Sequence, residues 1–373
     1  MLQNKDKQRI FILAGESSGD LHASYLMQSL KSQNHKIAFL GIGGPNMEQE
    51  GLQSLVKLKN LAVMGFWEVI KKYRFFINLE KLILKNIADK KPDKIILVDY
   101  PGLNLRLAKK IKQNHNIPIF YYISPQLWAW KEKRINIIKK YVNHMIVIFP
   151  FEKAWYLKRG LDVQYFGHPI IKQIEKLNLN KKITENFSLK TIALLPGSRE
   201  QEINKHLPVF LSLIKKHKTL NPSVNFIISC ASNINKDCFD DFKTLGVKID
   251  SRPLSKICNE SDLAIVASGT ATLECAMYNI PMIVVYRMSA LSWLITKYFI
   301  KVKFASIVNI LNEKLLVAEL LQSNLSTNNL ITEINKINNK EHLNTIYFGY
   351  NKIKQLLGDG TAYIGAANYI NTH

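Results

Sequence analysis

Short apolar runs alternate along the chain with segments whose apolar residues recur every three or four positions. Ile10–Ala14, Ile37–Leu40, Lys94–Asp99, Ile117–Ile123 and Met145–Phe149 are four to seven residues long and read as strands buried on both faces. Between them, Ala23, Leu26, Met27 and Leu30 keep helical spacing, and Ile135, Ile138, Val142 and Met145 do much the same. The polar stretch Lys172–Lys190 separates this series from a second one. Its strands are Thr191–Leu195, Asn225–Ser229, Leu263–Val266 and Met282–Val285, with helices expected to start near Glu200, Thr270 and Asn312. Strand–helix–strand alternation in two blocks predicts an α/β fold of two Rossmann-like, doubly wound parallel sheets. At 373 residues the chain also exceeds one ordinary core. The expected domains are 1–172 and 186–346, followed by a segment 347–373 that is aromatic and apolar enough to be ordered. A cleft between two such domains is the expected ligand site.

Composition narrows the partners. A hydrophobic fraction of 47% excludes a disordered chain. Lys and Arg number 51 against 29 Asp and Glu, a net charge of +22, which admits nucleic acid, an anionic membrane surface or a phosphorylated substrate. Only 8 of the basic residues are Arg, so coding bias toward Lys is an equal explanation. No RNA-binding motif or basic readout helix is present, and nucleic acid is not expected. Cys230, Cys238, Cys258 and Cys275 form no CxxC pair and have no zinc-ligand spacing, so they are expected to be small hydrophobes in a reducing compartment. The run Ile10–Ala14 is too short for a signal-peptide core, and no apolar stretch of about 18 residues could span a bilayer. The expected location is the cytoplasm.

Four loops carry candidate chemistry, each following a predicted strand, where open α/β sheets bind ligands. Gly15-Glu16-Ser17-Ser18-Gly19-Asp20 offers glycines and a helix N-terminus but no following Gly-Lys-Ser/Thr, so it is not a P-loop. Its bland alternative is a strand–helix turn with Asp20 as the cap. Asp99-Tyr100-Pro101-Gly102-Leu103-Asn104 places a carboxylate at a buried strand end, equally suited to a general base and to an Asx-turn. In Leu195-Pro196-Gly197-Ser198-Arg199-Glu200 a scarce Arg sits in a Gly-Ser turn, a pattern suited to bidentate phosphate contact. Ser268-Gly269-Thr270-Ala271-Thr272-Leu273-Glu274 can take a diphosphate on free N–H groups, with Glu274 within reach of a ribose; a capping box is the alternative. Gly41-Ile42-Gly43-Gly44-Pro45-Asn46 lacks the third glycine of a dinucleotide fingerprint and reads as a structural turn.

Taken in order, Gly15–Asp20, Met64-Gly65 with Glu68-Val69, Asp99-Tyr100-Pro101, Ser124-Pro125-Gln126-Leu127-Trp128-Ala129-Trp130, Gly167-His168-Pro169, Leu195–Arg199 and Ser268–Glu274 resemble the lipid-A-disaccharide synthase family. The resemblance runs from about Ile10 to Gln322. It implies a GT-B architecture, two Rossmann-like domains facing a cleft, with the C-terminal segment crossing back to the first. It further implies an inverting hexosyltransferase of lipid A biosynthesis, joining UDP-2,3-diacylglucosamine to 2,3-diacylglucosamine 1-phosphate through a β-1,6 linkage and releasing UDP. Asp99 is the implied general base on the acceptor hydroxyl. Gly197, Ser198, Arg199, Ser268, Gly269, Thr270, Glu274, Asn309 and Gln322 fall on the UDP side; Gly15, Glu16, Ser18, Gly19, Asp20, Met64 and Glu68 fall on the acceptor side. The sequence has no Asp-x-Asp metal motif, so no metal or other cofactor is expected, and Arg199 with helix N-termini would carry the charge of the departing UDP. The implied setting is the cytoplasmic face of the inner membrane, with the enzyme held peripherally on anionic lipid; a homodimer is compatible with it. This chain has Gly102 and Leu103 where the family often has Asp and Phe, leaving Asp99 as the sole carboxylate of its loop.

Two aromatic-basic stretches, Phe66–Phe76 and Leu291–Ile300, have the composition of interfacial segments, with core helices as the alternative. Trp128 and Trp130 suit either an acyl path or packing beneath a loop, and His168, fixed before Pro169, reads as structural.

Overall fold

The computed structural model describes residues 7–58, 61, 73–175, 187–231, 234–289, 293 and 302–373. The chain forms two compact units, one of Met1–Pro169 with Gly358–His373, the other of Ile170–Leu357. In the first, strands β1 (Gln8–Ala14), β2 (Ile37–Ile42), β3 (Gln53–Ser54), β4 (Lys94–Val98), β5 (Ile119–Tyr122), β6 (His144–Val147) and β7 (Gln164–Tyr165) make one sheet in the order β3-β2-β1-β4-β5-β6-β7. Every neighbouring pair is parallel. The sheet is buried on both faces, which is why its central strands are continuously apolar. Phe11, Leu13, Ile95, Leu97 and Tyr121 point to one face, against Leu79, Ile83 and Ile87 of helix Tyr73–Lys90 and Leu107 and Ile111 of helix Pro101–Asn114. The alternate residues Ile10, Ile12, Ile96, Val98 and Phe120 point to the other, against Ala23, Leu26 and Leu30 of helix Ser17–Gln33.

That second face is completed by the last helix, Ala362–Thr372, through Tyr363, Ala366, Ala367 and Ile370. The buried Lys94 ammonium fastens it, donating to the carbonyls of Ile370 and Asn371 at its C-terminal end. His22 and His144 each meet a hydroxyl of this helix, Tyr363 at 3.0 Å and Tyr369 at 2.9 Å. The hand-over between units lies later than position 347. Helix Lys340–Leu356 stays with the second unit, where the Tyr350 hydroxyl donates to the Ile280 carbonyl at 3.2 Å. The chain leaves that unit at Gly358, whose φ of +94° few other residues adopt.

The second sheet contains β8 (Thr191–Leu195), β9 (Asn225–Ser229), β10 (Lys248–Asp250), β11 (Leu263–Ala267), β12 (Met282–Tyr286) and β13 (Glu319–Leu321), in the order β10-β9-β8-β11-β12-β13. It too is parallel throughout. Each sheet therefore reverses its strand order once, between β1 and β4 in the first and between β8 and β11 in the second. Two helical expectations need correction. The helix that starts at Ile135 ends at Tyr141, because Val142 turns into an extended conformation and Met145 belongs to β6. The helix placed near Asn312 ends there rather than beginning, spanning Ile307–Asn312 with the Ser306 hydroxyl as its cap.

Candidate active site

A reversal of strand order opens the ends of the two central strands to solvent, since their following chains leave in opposite directions. The loops after β1 and β4 meet at the first reversal. Gly15 has no side chain, and the Tyr100 ring fills the space a Cβ would take, 2.5 Å from that position at Cγ. The strand β4 leaves its sheet through two consecutive left-handed residues, Asp99 (φ +45°) and Tyr100 (φ +46°), neither of them glycine. The Asp99 peptide is held from several directions. Its N–H donates to the Tyr122 carbonyl at 3.0 Å. Its own carbonyl accepts from the Tyr121 hydroxyl at 2.6 Å and from the Asn104 amide at 2.7 Å. Burial first, and then the negative charge of Glu16, push the Asp99 carboxyl up to about 6, opposed by a hydrogen bond from the Tyr100 N–H.

The Gly15–Asp20 loop divides its labour. Glu16 and Ser18 are exposed beside the Asp99 loop, while Gly19 is buried and brings the helix against Ala14. Asp20 corrects the expectation that it faces an acceptor. It is 1% exposed, and its carboxylate accepts from the N–H groups of Gly44, Asn46 and Met47 and from the Asn46 amide. Nor does it cap its own helix; it caps the short helix that Pro45 opens. This is why Gly41–Asn46 forms a rigid turn.

Glu152 has a comparable task that motif reading missed. Fully buried, it accepts from the Ser124 hydroxyl (2.6 Å), the Trp128 indole (3.0 Å) and the N–H groups of Ile148 and Phe149. Burial pushes its carboxyl up to about 7 against those bonds. Trp128 thus packs beneath its loop, whereas Trp130 is exposed, with the Lys131 ammonium 4.3 Å from its ring centre. His168 is buried against Phe149, and burial pushes its imidazole down to about 3. It is neutral and structural.

The second reversal brings together the loops after β8 and β11. Among the described residues, helices Glu200–Leu220 and Thr270–Met277 both begin without a side-chain cap, and the N–H groups of such a helix start suit an anion. Ser198, Arg199, Gly269 and Thr270 are exposed at these starts, and Gly197 has a left-handed φ of +111°. The Arg199 guanidinium, two-thirds exposed, meets Glu202 at 3.3 Å, so a phosphate there would compete with that carboxylate. Ser268 is no helix cap; its hydroxyl donates to the Ala305 carbonyl at 2.8 Å. Glu274 is half-buried, and desolvation pushes its carboxyl up to about 7.

Asn309 supports this site from within the core, and Gln322 is half-buried just after β13. Asn309 is completely buried; its amide oxygen accepts from the Leu316 and Val317 N–H groups, and its nitrogen donates to Val317 and Glu319. Glu319 in turn holds the N–H groups of Ala305 and Ser306, both at 2.8 Å. The Gln322 amide pairs with both backbone groups of Met288 at 3.3 Å. His206, unmarked by any motif, joins two strand ends: Nδ1–H donates to the Pro196 carbonyl and Nε2 accepts from the Arg287 N–H. Burial keeps that ring neutral, as the donor–acceptor pair demands.

Met64 and Glu68 lie outside the described residues, as do 66–72 and most of 291–300. The described end of the first aromatic stretch enters helix Tyr73–Lys90, where Phe76 joins the core. Among the described residues, no three His, Cys, Asp or Glu side chains gather as a metal-ligand set.

Residues 10–361 match the family model described as lipid-A-disaccharide synthetase. The chain is 39% identical over 338 residues to lipid-A-disaccharide synthase 1 of Legionella pneumophila (strain Philadelphia 1), covering 89% of this chain and 88% of that protein. Among solved structures, the UDP-GlcNAc 2-epimerase of Neisseria meningitidis bound to UDP-GlcNAc is similar over 98% of this chain and 100% of its own, with a TM-score of 0.66 at 13% identity. A glycosyltransferase from Rickettsia africae is similar over 98% of both chains, with a TM-score of 0.54 at 12% identity. At such identities the two structures speak for the fold alone, two parallel-sheet α/β domains of the GT-B class. With the family model spanning nearly the whole sequence, the chain belongs to the lipid-A-disaccharide synthetase family.

Proposed function

We propose that this protein is the hexosyltransferase that forms the lipid A disaccharide, taking UDP-2,3-diacylglucosamine as donor and 2,3-diacylglucosamine 1-phosphate as acceptor. The family membership supports the reaction, and the UDP-GlcNAc named with the meningococcal neighbour supports a UDP-sugar donor. The observation that carries the chemistry is Asp99, a carboxylate pushed up to about 6 at the switch point of the first sheet. A sugar hydroxyl is a poor nucleophile until its proton has somewhere to go. Asp99 takes the proton of the acceptor 6-hydroxyl as its oxygen attacks the donor anomeric carbon. The bond from that carbon to the UDP oxygen breaks on the opposite side, UDP leaves with the electron pair, and the configuration inverts. The starts of helices Glu200–Leu220 and Thr270–Met277, with Arg199, stabilise the charge on the diphosphate. Near pH 7 a group of this pKa is about nine-tenths ionised, so the base is ready while retaining a useful proton affinity.

Acylated substrates lie in a membrane, and the net charge of +22 suits a peripheral enzyme on anionic lipid. No helix among the described residues is long and apolar enough to cross a bilayer. The deciding experiment is mass detection of a tetra-acylated disaccharide phosphate from the two purified precursors, with Asp99→Asn alongside. Turnover of UDP-GlcNAc by epimerisation, with acylated donor ignored, would replace this reading by the one the epimerase-like fold allows.

A further inference from the structure

The left-handed pair at the end of β4 is costly. Non-glycine residues other than Asn and Asp rarely adopt that region, and two in succession persist only where their surroundings over-determine them. Asp99 and Tyr100 adopt it in succession, and the groups that impose it are few and specific. The Asp99 carbonyl takes two donors: the Tyr121 hydroxyl from the neighbouring strand and the Asn104 amide from the helix that follows. Both side chains are completely buried. A buried phenol needs a partner for its hydroxyl, and Tyr121 donates to this carbonyl, with the Asn104 amide beside the same oxygen. Its ring is part of the buried core on this face of the sheet, and a phenylalanine ring has the same shape there. Asn104 also reaches the Val98 carbonyl at 3.2 Å, so a single amide grips the peptides on both sides of the Asp99 α-carbon.

We propose that Tyr121 and Asn104 are positioning residues for transfer, which lock the Asp99 peptide and thereby the direction of its carboxylate. The inference rests on Asp99 as the base. Rotating the Asp99 carbonyl about its backbone swings the Cα–Cβ bond, and a base displaced by about 1 Å can lose about 100-fold in rate. Tyr100 shares in the lock, since its ring sits in the notch left by Gly15 and its carbonyl accepts the N–H of Asn104 at 3.1 Å.

Tyr121→Phe deletes one hydroxyl and leaves the ring volume intact, and the Asp99 carbonyl keeps Asn104 as partner. The expected result is a kcat lower by about 10–100-fold with the KM for the UDP donor unchanged. The acid limb of the rate profile should move toward the ordinary carboxylate range as water reaches the released carboxyl. A hydroxyl that served stability alone would lower the melting temperature and leave kcat and the limb in place. The decisive comparison repeats the substitution on Asp99→Asn. If Tyr121 acts through Asp99, it has no further effect on the residual turnover there; an equal loss on both backgrounds would overturn the proposal. So would wild-type kcat in Tyr121→Phe. Asn104→Ser provides a second, independent reading of the same lock. Should Asp99→Asn itself turn over normally, the base assignment fails instead, which separates the two outcomes.

Discussion

Replacing Asp99 by Asn should disable the enzyme and stabilise it, and the second effect has a pH signature. In the folded protein the carboxyl is raised from 3.8 to about 6, chiefly by desolvation. A displacement of that size corresponds to about 2–3 kcal/mol. Because the folded value lies above the unfolded one, the unfolded chain releases its proton first as pH rises. The wild type therefore loses this amount of stability between about pH 4 and about pH 7. Asparagine has no proton to release. Its advantage over aspartate should be small near pH 4 and grow by about 2–3 kcal/mol toward pH 7, which is about 5–10 °C in the melting temperature of a unit this size. Both residues tolerate a left-handed φ, so any offset that does not change with pH reports the backbone and not the charge. Thermal unfolding of the two proteins across that range, paired with initial rates, gives both numbers. Turnover should fall by about 10²–10⁴, the usual worth of a positioned base. A stability difference flat in pH would refute the desolvated carboxylate, and near-normal turnover would remove Asp99 from the chemistry.

Other perturbations follow from the same geometry. In the wild type the rate should fall about tenfold for each pH unit below about 6, tracking protonation of Asp99; a rate constant through that range would contradict its value. Gly15→Ala places a Cβ 2.5 Å from Cγ and 2.8 Å from Cε1 of the Tyr100 ring. Overpacking of this kind costs about 1–3 kcal/mol, and kcat should drop as the ring moves, whereas unchanged kinetics would uncouple that ring from Asp99. Turnover should survive EDTA, and a loss restored by magnesium would count against transfer without a metal. Binding to anionic vesicles should weaken as salt is added; equal binding to neutral vesicles would return the excess Lys to composition.

Sheet interiors were legible in the sequence and sheet edges were not. The nine strands read from apolar runs all occur, within a residue or two at their ends. The four that left no such signal, β3, β7, β10 and β13, are the four edges of the two sheets. They are two or three residues long and only partly buried, so hydrophobic periodicity has nothing to register. The four loops were visible for a related reason. Each follows a long central strand, and β1, β4, β8 and β11 are the strands that flank the two reversals.

Within those loops, a motif marks a residue as constrained without saying by what. Asp20 and Asp99 each follow a β-strand in a Gly- or Pro-containing loop, yet their surroundings give them opposite chemistry. Four donors converge on the Asp20 carboxylate, and no proton acceptor is left for a substrate. Around Asp99 the donors converge on the carbonyl instead, while the carboxylate has the Tyr100 N–H, the charge of Glu16 and little water. A carboxylate saturated with donors is stabilised as a structural anion; one that is buried, crowded by like charge and sparsely bonded holds its proton more tightly and so can serve as a base near neutral pH. The residues that make this difference, Asn46 and Gly44 for one and Tyr121 and Asn104 for the other, come from 5 to 26 positions away. Their convergence is a property of the sheet, since β5 delivers Tyr121 to Asp99 only because it pairs in register with β4, Leu97 opposite Tyr121. A one-residue slip of that register would turn Tyr121 to the opposite face and leave the Asp99 carbonyl with Asn104 alone.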